Sequence, residues 1–371
     1  MGPTDQPQLP TLRWGIISAG LISSWFVEDL LIERPGAQAE HIVQAIGCSS
    51  ATKGAEFVSK YIPSSAHQPS VGTYEDVYSN PNVDVVYIGT PHAFHKKNCL
   101  DAIAAGKHVL CEKAFTITAK ESREVCAAAK QKGVFVMEAM WLRFIPLVVA
   151  LGKKLHEERV IGDVRRMFCD FGLNMNLAAL GPESRLKNPS LGAGSLLDIG
   201  VYSLTWGLLG LDSEIGERAQ KPKVLAVQSL SDTIDVASTF ILQYSNGAQG
   251  VLTSTTECKS GRDFCRIEGT DGYITVEGGA ASVPDAFTVH KEIPGPKKSD
   301  ASGKVTQLSK EVFKFEKPGR GFYYEADAVA LDIASKRLEN AVMPHAETVR
   351  VMQIMDEIRK QGGTKFPQDD E

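Results

Sequence analysis

The chain has 371 residues, of which 43% are hydrophobic and 23% charged, a composition typical of a globular protein with two or three domains. Its 40 Lys and Arg residues against 45 Asp and Glu give a formal net charge of -5, which argues against binding to nucleic acid or to an anionic membrane. The apolar runs are short, and the longest of them, from Ser195 to Leu211, contains Asp198, so the sequence predicts no membrane-spanning segment.

The first residues and the cysteines bear on localisation and redox state. Residues 1–12 contain no basic segment followed by an apolar one, so we expect a disordered leader on a cytoplasmic protein. The seven cysteines are scattered and include no C-x-x-C pair, which argues against a disulfide framework and against a zinc site. We therefore expect reduced cysteines that are mostly buried.

Residues 13–143 are predicted to form a dinucleotide-binding Rossmann domain. An apolar strand ends at Ile17, a turn containing Gly20 follows, and helical spacing continues to Leu31. The same alternation then repeats, with strands predicted at His41–Cys48, Val83–Gly89, Val109–Cys111 and Val134–Met137 and helices at Thr52–Tyr61, Ala93–Ala105 and Ala119–Lys132. This pattern is typical of a doubly wound parallel α/β sheet.

Residues 144–371 are predicted to form a C-terminal α+β domain built on an open-faced, largely antiparallel sheet. Asn246-Gly247 and Asp271-Gly272 are dipeptides that close tight hairpins. Strands are predicted at Val164–Leu173, Lys223–Ser229, Val236–Tyr244 and Gln249–Cys258, a surface loop at Ile293–Ser309, and closing helices at Tyr324–Lys336 and Ala346–Lys360.

The turn after the first strand is the natural phosphate site, because the N-terminus of a helix presents unpaired backbone N–H groups. Ser18, Gly20 and Ser23 occupy the three positions of the G-x-G-x-x-G fingerprint, so only its central glycine is present. The turn predicts a dinucleotide phosphate site that also includes Leu21 and Ile22, with an ordinary strand-to-helix turn as the alternative.

The end of the second predicted strand indicates which dinucleotide binds. An NAD site places an acid there to accept hydrogen bonds from the ribose 2′-OH, and that acid would repel the 2′-phosphate of NADP. The sequence has Ser49, Ser50 and Lys53 instead of an acid. These residues favour NADP, with a solvated serine-rich loop as the alternative.

A polar turn follows the third predicted strand, at Thr90, Pro91 and His92, with His95 close behind. The two histidines suggest a metal site, but no carboxylate or cysteine lies nearby in sequence to complete one. We therefore expect no metal, and a turn that caps the following helix and contacts the cofactor ribose.

Three further polar residues could carry the chemistry. Glu112-Lys113 ends a strand at the predicted cofactor edge, although it could be a simple surface ion pair. Asp198 and Tyr202 lie four residues apart in an apolar helical segment and so share one face. From the residues alone, a buried tyrosine with a satisfied hydroxyl is as good an interpretation of Tyr202 as catalysis.

Several motifs together resemble the Gfo/Idh/MocA oxidoreductase family, within the branch of dimeric dihydrodiol dehydrogenases and fungal NADP-dependent D-xylose 1-dehydrogenases. The resemblance extends from Arg13 to Asp369. It is carried by Ala19-Gly20, Gly89-Thr90-Pro91, Glu112-Lys113, Met137–Trp141 and Leu197–Tyr202. In two places the chain departs from the family: Ala114 replaces the proline of the E-K-P motif, and Ser50 stands where relatives often carry an arginine that binds the 2′-phosphate.

The resemblance implies a Rossmann domain, a substrate domain with an open-faced sheet, and hydride transfer to NADP without a metal. It places Lys113, Tyr202 and Asp198 at the catalytic positions. Cofactor contacts are expected from the residues given above, including Glu112 and Lys113, and from Trp141 and Arg143. The substrate is expected to contact Lys113, Asp198 and Tyr202 together with an aromatic set made of Trp141, Phe144, Phe322 and Tyr323.

The resemblance also suggests a mechanism. A tyrosine with an ordinary pKa of ~10 becomes a base near neutral pH when a cation favours its phenolate, so Lys113 is the expected electrostatic partner of Tyr202. The expected substrate is an aldopyranose, D-xylose above all, oxidised at C1 to the lactone. A trans-dihydrodiol is the second possibility, and a catalytically silent cofactor-sensing regulator the third, which the presence of both Lys113 and Tyr202 disfavours.

A homodimer is expected as well. An open sheet covered by helices on one face has to hide its other face, and the β-rich stretch from Val236 to Ile267 is the candidate surface.

Overall fold

The computed structural model describes residues 9–292 and 308–370. Within them the chain forms two compact units. The first contains the described residues up to Thr116 together with Lys120–Trp141 and Lys317–Thr348, and the second contains Ile117–Ala119, Leu142–Glu316 and the described residues from Val349. The predicted boundary at residue 143 assigns Lys317–Thr348 to the second domain, whereas its contacts group it with the first unit.

The first unit is built on a parallel sheet, as predicted. In the described residues the strand order is β3-β2-β1-β4-β5-β6, which is the dinucleotide-binding order with a topological switch point between β1 and β4. The strands are β1 (Thr11–Ile17), β2 (Glu40–Gly47), β3 (Ser70–Gly72), β4 (Val85–Ile88), β5 (His108–Glu112) and β6 (Val136–Ala139).

The first strand corrects the predicted leader. Because β1 pairs with β2 from Thr11 onward, the last two residues of the predicted leader are strand rather than disordered chain. The earlier part of that prediction, residues 1–8, lies outside the described residues.

The helices follow the predicted segments, with bounds that differ by a few residues. The short α3 and α6 were not predicted because they are too short to show periodicity, although Thr73 and Asp76 form a capping box at the start of α3. The helices are α1 (Leu21–Leu30), α2 (Ala51–Tyr61), α3 (Tyr74–Ser79), α4 (His95–Ala104), α5 (Ala119–Lys132), α6 (Pro146–Gly152), α7 (Val201–Leu211), α8 (Phe322–Ala334) and α9 (His345–Gly362).

The second unit contains the predicted, largely antiparallel sheet. Its order in the described residues is β14-β13-β12-β11-β7-β10-β9-β8, in which β7 and β10 form a parallel pair and the other neighbours are antiparallel. The strands are β7 (Val164–Gly172), β8 (Lys223–Ser231), β9 (Ile234–Gln243), β10 (Gln249–Thr255), β11 (Asp263–Gly269), β12 (Gly272–Ala280), β13 (Val283–Glu292) and β14 (Leu308–Lys314).

The predicted turns of this sheet can be compared with the structure. Asn246-Gly247 lies between β9 and β10, and Asp271-Gly272 between β11 and β12, so both predicted hairpins are confirmed. Most of the predicted loop Ile293–Ser309 lies outside the described residues, and its last two residues belong to β14.

Helix α7 covers the inner face of this sheet because two glycines allow close approach. A Cβ at Gly207 would overlap Leu252 of β10, and one at Gly210 would lie 2.8 Å from the sulfur of Met167 on β7. The apolar segment Pro189–Leu211 that contains α7 is long enough to cross a membrane, but 94% of its most apolar stretch is buried inside the protein, as in a core helix. All seven cysteines are free thiols, and all except Cys258 are buried, as predicted.

A buried carboxylate fixes the returning C-terminal segment to the first unit. Asp29 of α1 is 1% exposed and accepts backbone N–H groups from Arg320, Gly321 and Phe322 at the N-terminus of α8, at 2.9 Å from Arg320 and 3.0 Å from Phe322. Because these N–H groups have no partner within the helix, a single carboxylate satisfies the start of α8 and joins it to α1.

We expect Asp29→Ala to lower the free energy of unfolding by about 3 kcal/mol, because it leaves buried N–H groups unpaired. The adjacent Glu28→Ala removes only a half-exposed ion pair with Arg320 and should cost about 0.5 kcal/mol or less. Urea unfolding of both variants measures the difference. Equal losses would contradict the role given to Asp29.

Candidate active site

The turn after β1 has the geometry of a phosphate site. Gly20 is the N-cap of α1, and no side chain caps the helix, so its first N–H groups are not satisfied by a side chain. A Cβ on Gly20 would approach Ser18 Oγ to 3.3 Å and the carbonyl of Gly89 to 4.0 Å. The space that a side chain at position 20 would fill is therefore open. It lies at the switch point between β1 and β4, beside the exposed Leu21, and fits a dinucleotide pyrophosphate.

Ser18 adopts a conformation that usually belongs to glycine. Its φ is +84°, in the left-handed region, and its backbone N–H donates to the carbonyl of Gly47 at 3.0 Å. The fingerprint glycine at this position would adopt that φ without a Cβ penalty. The serine therefore keeps the tight turn that the sequence predicts, at a conformational cost.

The predicted 2′-phosphate residues surround the end of β2. Ser50 is the N-cap of α2, and its hydroxyl oxygen accepts the N–H of Lys53 at 3.3 Å. Ser49, Ser50 and the Lys53 side chain are all exposed at this edge. The structure thus brings together the three groups that favour a phosphate, and it adds a capping role for Ser50 that the sequence did not reveal.

Tyr74 also belongs to this edge and was missed by the sequence analysis. A Cβ on Gly47 would lie 2.9 Å from the Tyr74 ring, so the glycine at the end of β2 leaves room for the tyrosine. Burial raises the pKa of Tyr74, with a contribution from Cys48, while a hydrogen bond with the Ser18 side chain opposes the rise. The phenol thus connects the β1 turn to the end of β2.

His95, a predicted cofactor contact, is buried among backbone carbonyls. It is 1% exposed, with Nε2 2.8 Å from the carbonyl oxygen of Thr90 and Nδ1 3.0 Å from that of Ala114. Burial lowers its pKa more than these carbonyls raise it. With both ring nitrogens against the backbone, His95 fixes the Thr90 turn to the Lys113 loop, and its contact with the cofactor stays a prediction.

The rest of the Thr90 turn remains at the cofactor edge. Thr90 accepts a hydrogen bond from the amide of Asn98 at 3.1 Å, Pro91 precedes a 3₁₀ turn at His92–Phe94, and His92 packs edge-on against His95 at 5.6 Å. Within the described residues, no three His, Cys, Asp or Glu side chains converge as a metal site would require.

The Lys113 loop starts from a buried carboxylate. Glu112, at the end of β5, is 3% exposed and accepts hydrogen bonds from the Tyr87 phenol at 2.7 Å and from the backbone N–H of Lys113 at 3.2 Å. The Lys113–Ala114 peptide bond is cis. Glu138 of β6 accepts the N–H of Phe115 at 3.2 Å on the other side of the loop. Lys113 is therefore presented by a loop with fixed ends.

The residues of the predicted aromatic set have different surroundings in the structure. Trp141, 5% exposed, stacks on Phe322 with ring centroids 4.5 Å apart. Phe322 and Tyr323 are each 1% exposed, and the Tyr323 hydroxyl donates to the carbonyl of Pro318 at 3.0 Å while the Arg34 guanidinium covers its ring. Phe322 and Tyr323 are therefore buried beside Trp141, and their expected contact with substrate stays a prediction.

The remaining predicted residues belong to the second unit. Arg143 and Phe144 end a 3₁₀ turn that starts at Trp141, and the Arg143 side chain is buried. Asp198 lies in a π-helical turn, Leu196–Gly200, that leads directly into α7, where Tyr202 is the second residue. Such π turns are uncommon and are frequent at functional sites.

Asp198 and Tyr202 are both buried, and neighbouring side chains contact them. Asp198 is 9% exposed, and its Oδ1 accepts a hydrogen bond from the guanidinium of Arg185 at 3.3 Å. Tyr202 is 5% exposed, and its ring packs edge-on against Phe171 at 5.7 Å. Arg185 was not singled out from the sequence, where it appears as one of many surface cations.

Asp235 of β9 anchors the helical segment that carries these residues. Its carboxylate, 1% exposed, accepts the Ser195 hydroxyl and the Leu196 N–H at 2.7 Å each and the Ser238 hydroxyl at 2.9 Å. Burial raises the pKa of Asp235, against these hydrogen bonds. A Cβ on Gly194 would overlap this carboxylate, so glycine is required where the loop passes it.

Comparison with known proteins covers both units. The family profile of the Gfo/Idh/MocA oxidoreductases with an NAD-binding Rossmann fold matches residues 12–140, and that of the Gfo/Idh/MocA C-terminal domain matches residues 149–275. The D-xylose 1-dehydrogenase (NADP(+)) of Hypocrea jecorina is 32% identical over 96% of this chain and 94% of its own. The bovine trans-1,2-dihydrobenzene-1,2-diol dehydrogenase is 36% identical over 96% of this chain and 99% of its own.

Solved structures share the fold. An aldose-aldose oxidoreductase from Caulobacter crescentus, complexed with glycerol, has a TM-score of 0.76 at 23% identity over 95% of this chain and 98% of its own. A levoglucosan dehydrogenase in complex with NADH and L-sorbose has a TM-score of 0.77 at 22% identity over 96% of this chain and 97% of its own.

We expect Asp235→Ala to lower the free energy of unfolding by about 2–4 kcal/mol, because two hydroxyls and one N–H lose a buried acceptor. Asp285→Ala in the same unit removes an exposed ion pair with Arg262 and should change stability by about 0.5 kcal/mol or less. Chemical denaturation distinguishes the two variants. An Asp235→Ala protein as stable as Asp285→Ala would refute the anchoring role.

Proposed function

The chain belongs to the Gfo/Idh/MocA oxidoreductase family, and from that membership we propose that it is an NADP-dependent dehydrogenase that oxidises an aldopyranose, D-xylose in the first instance, at C1 to the aldonolactone. The observation that carries the proposal is that Lys113 and Tyr202 are both present in a chain related over 96% of its length to a D-xylose 1-dehydrogenase.

The first unit would hold the cofactor. The free helix end at Gly20 suits the pyrophosphate, and the Thr90 turn lies on the same carboxyl edge of the sheet. Ser49, Ser50 and Lys53 at the end of β2 supply donors and a positive charge for a 2′-phosphate. When bound, the nicotinamide accepts the hydride that leaves the substrate carbon.

Tyr202 is proposed as the base that accepts the substrate hydroxyl proton. Hydride departure leaves a carbonyl only if that proton also leaves, so a phenolate at this step lowers the barrier. The Lys113 ammonium favours the phenolate by opposite charge. Asp198 and Arg185, an ion pair one turn before Tyr202, would orient the sugar hydroxyls. His95 and Glu112 hold the Lys113 loop in place.

A trans-dihydrodiol is the second candidate substrate. The bovine dihydrodiol dehydrogenase is 36% identical to this chain, slightly more than the fungal xylose enzyme. The same base and hydride transfer would oxidise either alcohol. Turnover assays that follow the reduced nicotinamide, with NADP and NAD crossed against pentoses, hexoses and dihydrodiols, decide between them. If the protein turned over none of these substrates with either cofactor, that result would contradict the proposal.

We expect Tyr202→Phe to slow the chemical step by roughly 10²–10⁴-fold with little change in NADP affinity, because the ring and its packing remain while the proton acceptor is lost. Lys113→Met should also slow the reaction and should move the alkaline-going rise of the pH profile upward, because the cation that favours phenolate is gone. Single-turnover kinetics measure both effects.

The double variant provides the control. If Lys113 and Tyr202 act as one unit on one proton, the two losses should not add. Near-normal turnover of every substrate by Tyr202→Phe would show that another group is the base.

Cofactor preference can be tested at Ser50. Ser50→Asp keeps an N-cap that α2 accepts but places a carboxylate beside the 2′-phosphate, so NADP should bind far more weakly while NAD changes little. Ser50→Asn is the matched neutral cap and should retain the preference. Equal kcat/KM for NADP and NAD in the unmodified protein would refute the preference itself.

We further propose that the protein is a homodimer joined through the outer face of the second sheet. Helix α7 packs on the inner face, against Met167 and Leu252, whereas side chains of alternate residues point outward. The outward set includes apolar residues with appreciable exposure, such as Val227 at 68%, Leu225 at 46% and Phe168 at 37%. An apolar sheet face of this kind is the usual location of a subunit interface.

Two outward residues allow a direct test. Ile241 and Val251 are cross-strand partners on β9 and β10 and are half-buried in the single chain. The double variant Ile241→Glu and Val251→Glu should convert the dimer to a monomer in light scattering, because it places like charges in the interface. Val149→Glu, at an exposed position of helix α6 and so not on the sheet, should leave the mass unchanged. A monomer mass for the unmodified protein would contradict the proposal.

A further inference from the structure

A fully buried acid lies behind the Lys113 loop and has no part in the proposed mechanism. Glu325, in the first turn of α8, is 0% exposed. Within the described part of the chain, neither of its carboxyl oxygens has a hydrogen-bond partner. Such groups are rare in folded proteins, because an apolar side chain of similar size would avoid the loss of hydration. The presence of such an acid in the core calls for a functional reason.

The titratable groups that face Glu325 belong to the neighbouring strands. Glu112 on β5 and Tyr87 on β4 are within electrostatic range of it, and they are joined by the hydrogen bond from the Tyr87 phenol to Glu112. The surroundings are aromatic: Phe26 of α1 stacks on Tyr87 at 3.9 Å and meets Phe322 edge-on at 6.3 Å.

Two acids in one apolar interior cannot both be ionised at little cost, so the pair holds a proton. Glu112 accepts two hydrogen bonds and is the group stabilised as a carboxylate. Burial, and then the charge of Glu112, raise the pKa of Glu325 well above its ordinary value. The proton therefore belongs to Glu325.

The deprotonated form is nevertheless accessible. Glu325 lies in the first turn of α8, where the helix dipole favours a negative charge, although Asp29 already occupies the end of that helix. Glu112 directly precedes Lys113 at the carboxyl edge of the sheet, where a Rossmann fold binds its dinucleotide. A positive charge arriving at that edge would favour loss of the proton from the pair.

We propose that Glu112 and Glu325 form a buried proton-binding pair whose proton occupancy depends on the charge of the bound nicotinamide ring. Binding of oxidised cofactor, whose ring is positive, releases part of a proton from Glu325 to solvent. Binding of reduced cofactor, whose ring is neutral, releases less. This inference uses the cofactor of the family and is independent of the proposed substrate.

Calorimetry of cofactor binding in buffers of different ionisation enthalpy measures the protons released. NADP⁺ and NADPH both carry the 2′-phosphate. Protons exchanged by that group therefore cancel when the proton release on binding NADPH is subtracted from the release on binding NADP⁺. In the unmodified protein we expect this difference to be a measurable fraction of a proton that increases from neutral to alkaline pH. A difference of zero throughout would overturn the proposal.

Glu325→Gln has the shape of the protonated acid but cannot lose a proton, so the difference should decrease by at least half in this variant. Glu124→Gln, an exposed acid of α5 in the same unit, should leave it unchanged. If Glu325→Gln showed the same difference in proton release as the unmodified protein, the proposal would be overturned. Should that variant fail to fold, Glu325→Met gives the same comparison.

The stability of the cofactor-free protein tests directly whether Glu325 is protonated in the folded state. Because the folded-state pKa of Glu325 lies above its unfolded value of about 4.3, the unfolded state binds fewer protons between the two values, and stability decreases as pH increases through that window. Glu325→Gln removes this loss, so its stability relative to the unmodified protein should increase with pH. A pH-independent difference would show that Glu325 is not protonated in the fold.

Discussion

Close backbone approach at the switch point of the first sheet is the constraint on which the rest of the site depends. Gly89 follows β4, and a Cβ there would overlap Ser23 of α1, so the glycine sets how near the helix lies to the strand. That distance places the uncapped N-terminus of α1 beside the end of β4. The N–H groups available to a phosphate, and the Thr90 turn that follows Gly89, are both consequences of this contact.

Within each unit, several buried polar side chains form hydrogen bonds with the backbone. Glu112 and His95 fix the loop that presents Lys113, Asp29 satisfies the start of α8, and Asp235 anchors the segment that carries Asp198 and Tyr202. Each supplies an acceptor or a ring nitrogen to groups that would otherwise be buried without a partner. The side chains proposed as reactive therefore extend from segments with fixed ends, as preorganised catalysis requires. Glu325 differs from this group because its oxygens have no hydrogen-bond partner among the described residues, which is why a role for its proton is inferred.

The sequence was sufficient for features that depend on local pattern. Strand–turn–helix alternation predicted the parallel sheet, and Asn246-Gly247 and Asp271-Gly272 predicted their hairpins, because periodicity and turn chemistry involve near neighbours. The return of Lys317–Thr348 to the first unit depends on contacts with α1 almost 300 residues earlier, such as Arg320 with Asp29. No local pattern encodes such a contact.

The candidate site residues divide in the same way, into those that a local sequence pattern indicates and those that depend on tertiary packing. Gly20, Ser50 and Lys113 could be proposed from the sequence because they occupy the ends of predicted strands or starts of helices. Residue type alone suggested that Phe322 and Tyr323 line a pocket, whereas tertiary packing buries both. Asp235 and Glu325 were missed because a buried acid has the same appearance in a sequence as a solvated one. The role of a buried acid is revealed only by the hydrogen-bond partners around its carboxylate, or by their absence.

Transfer of the C1 hydrogen tests the proposed chemistry most directly. D-xylose deuterated at C1, incubated with the protein and NADP, should give reduced cofactor that carries the deuterium at C4 of the nicotinamide, as seen by NMR, with a normal primary isotope effect on the chemical step. Reduced cofactor that contains no deuterium would show that hydride leaves from another carbon, and would contradict oxidation at C1.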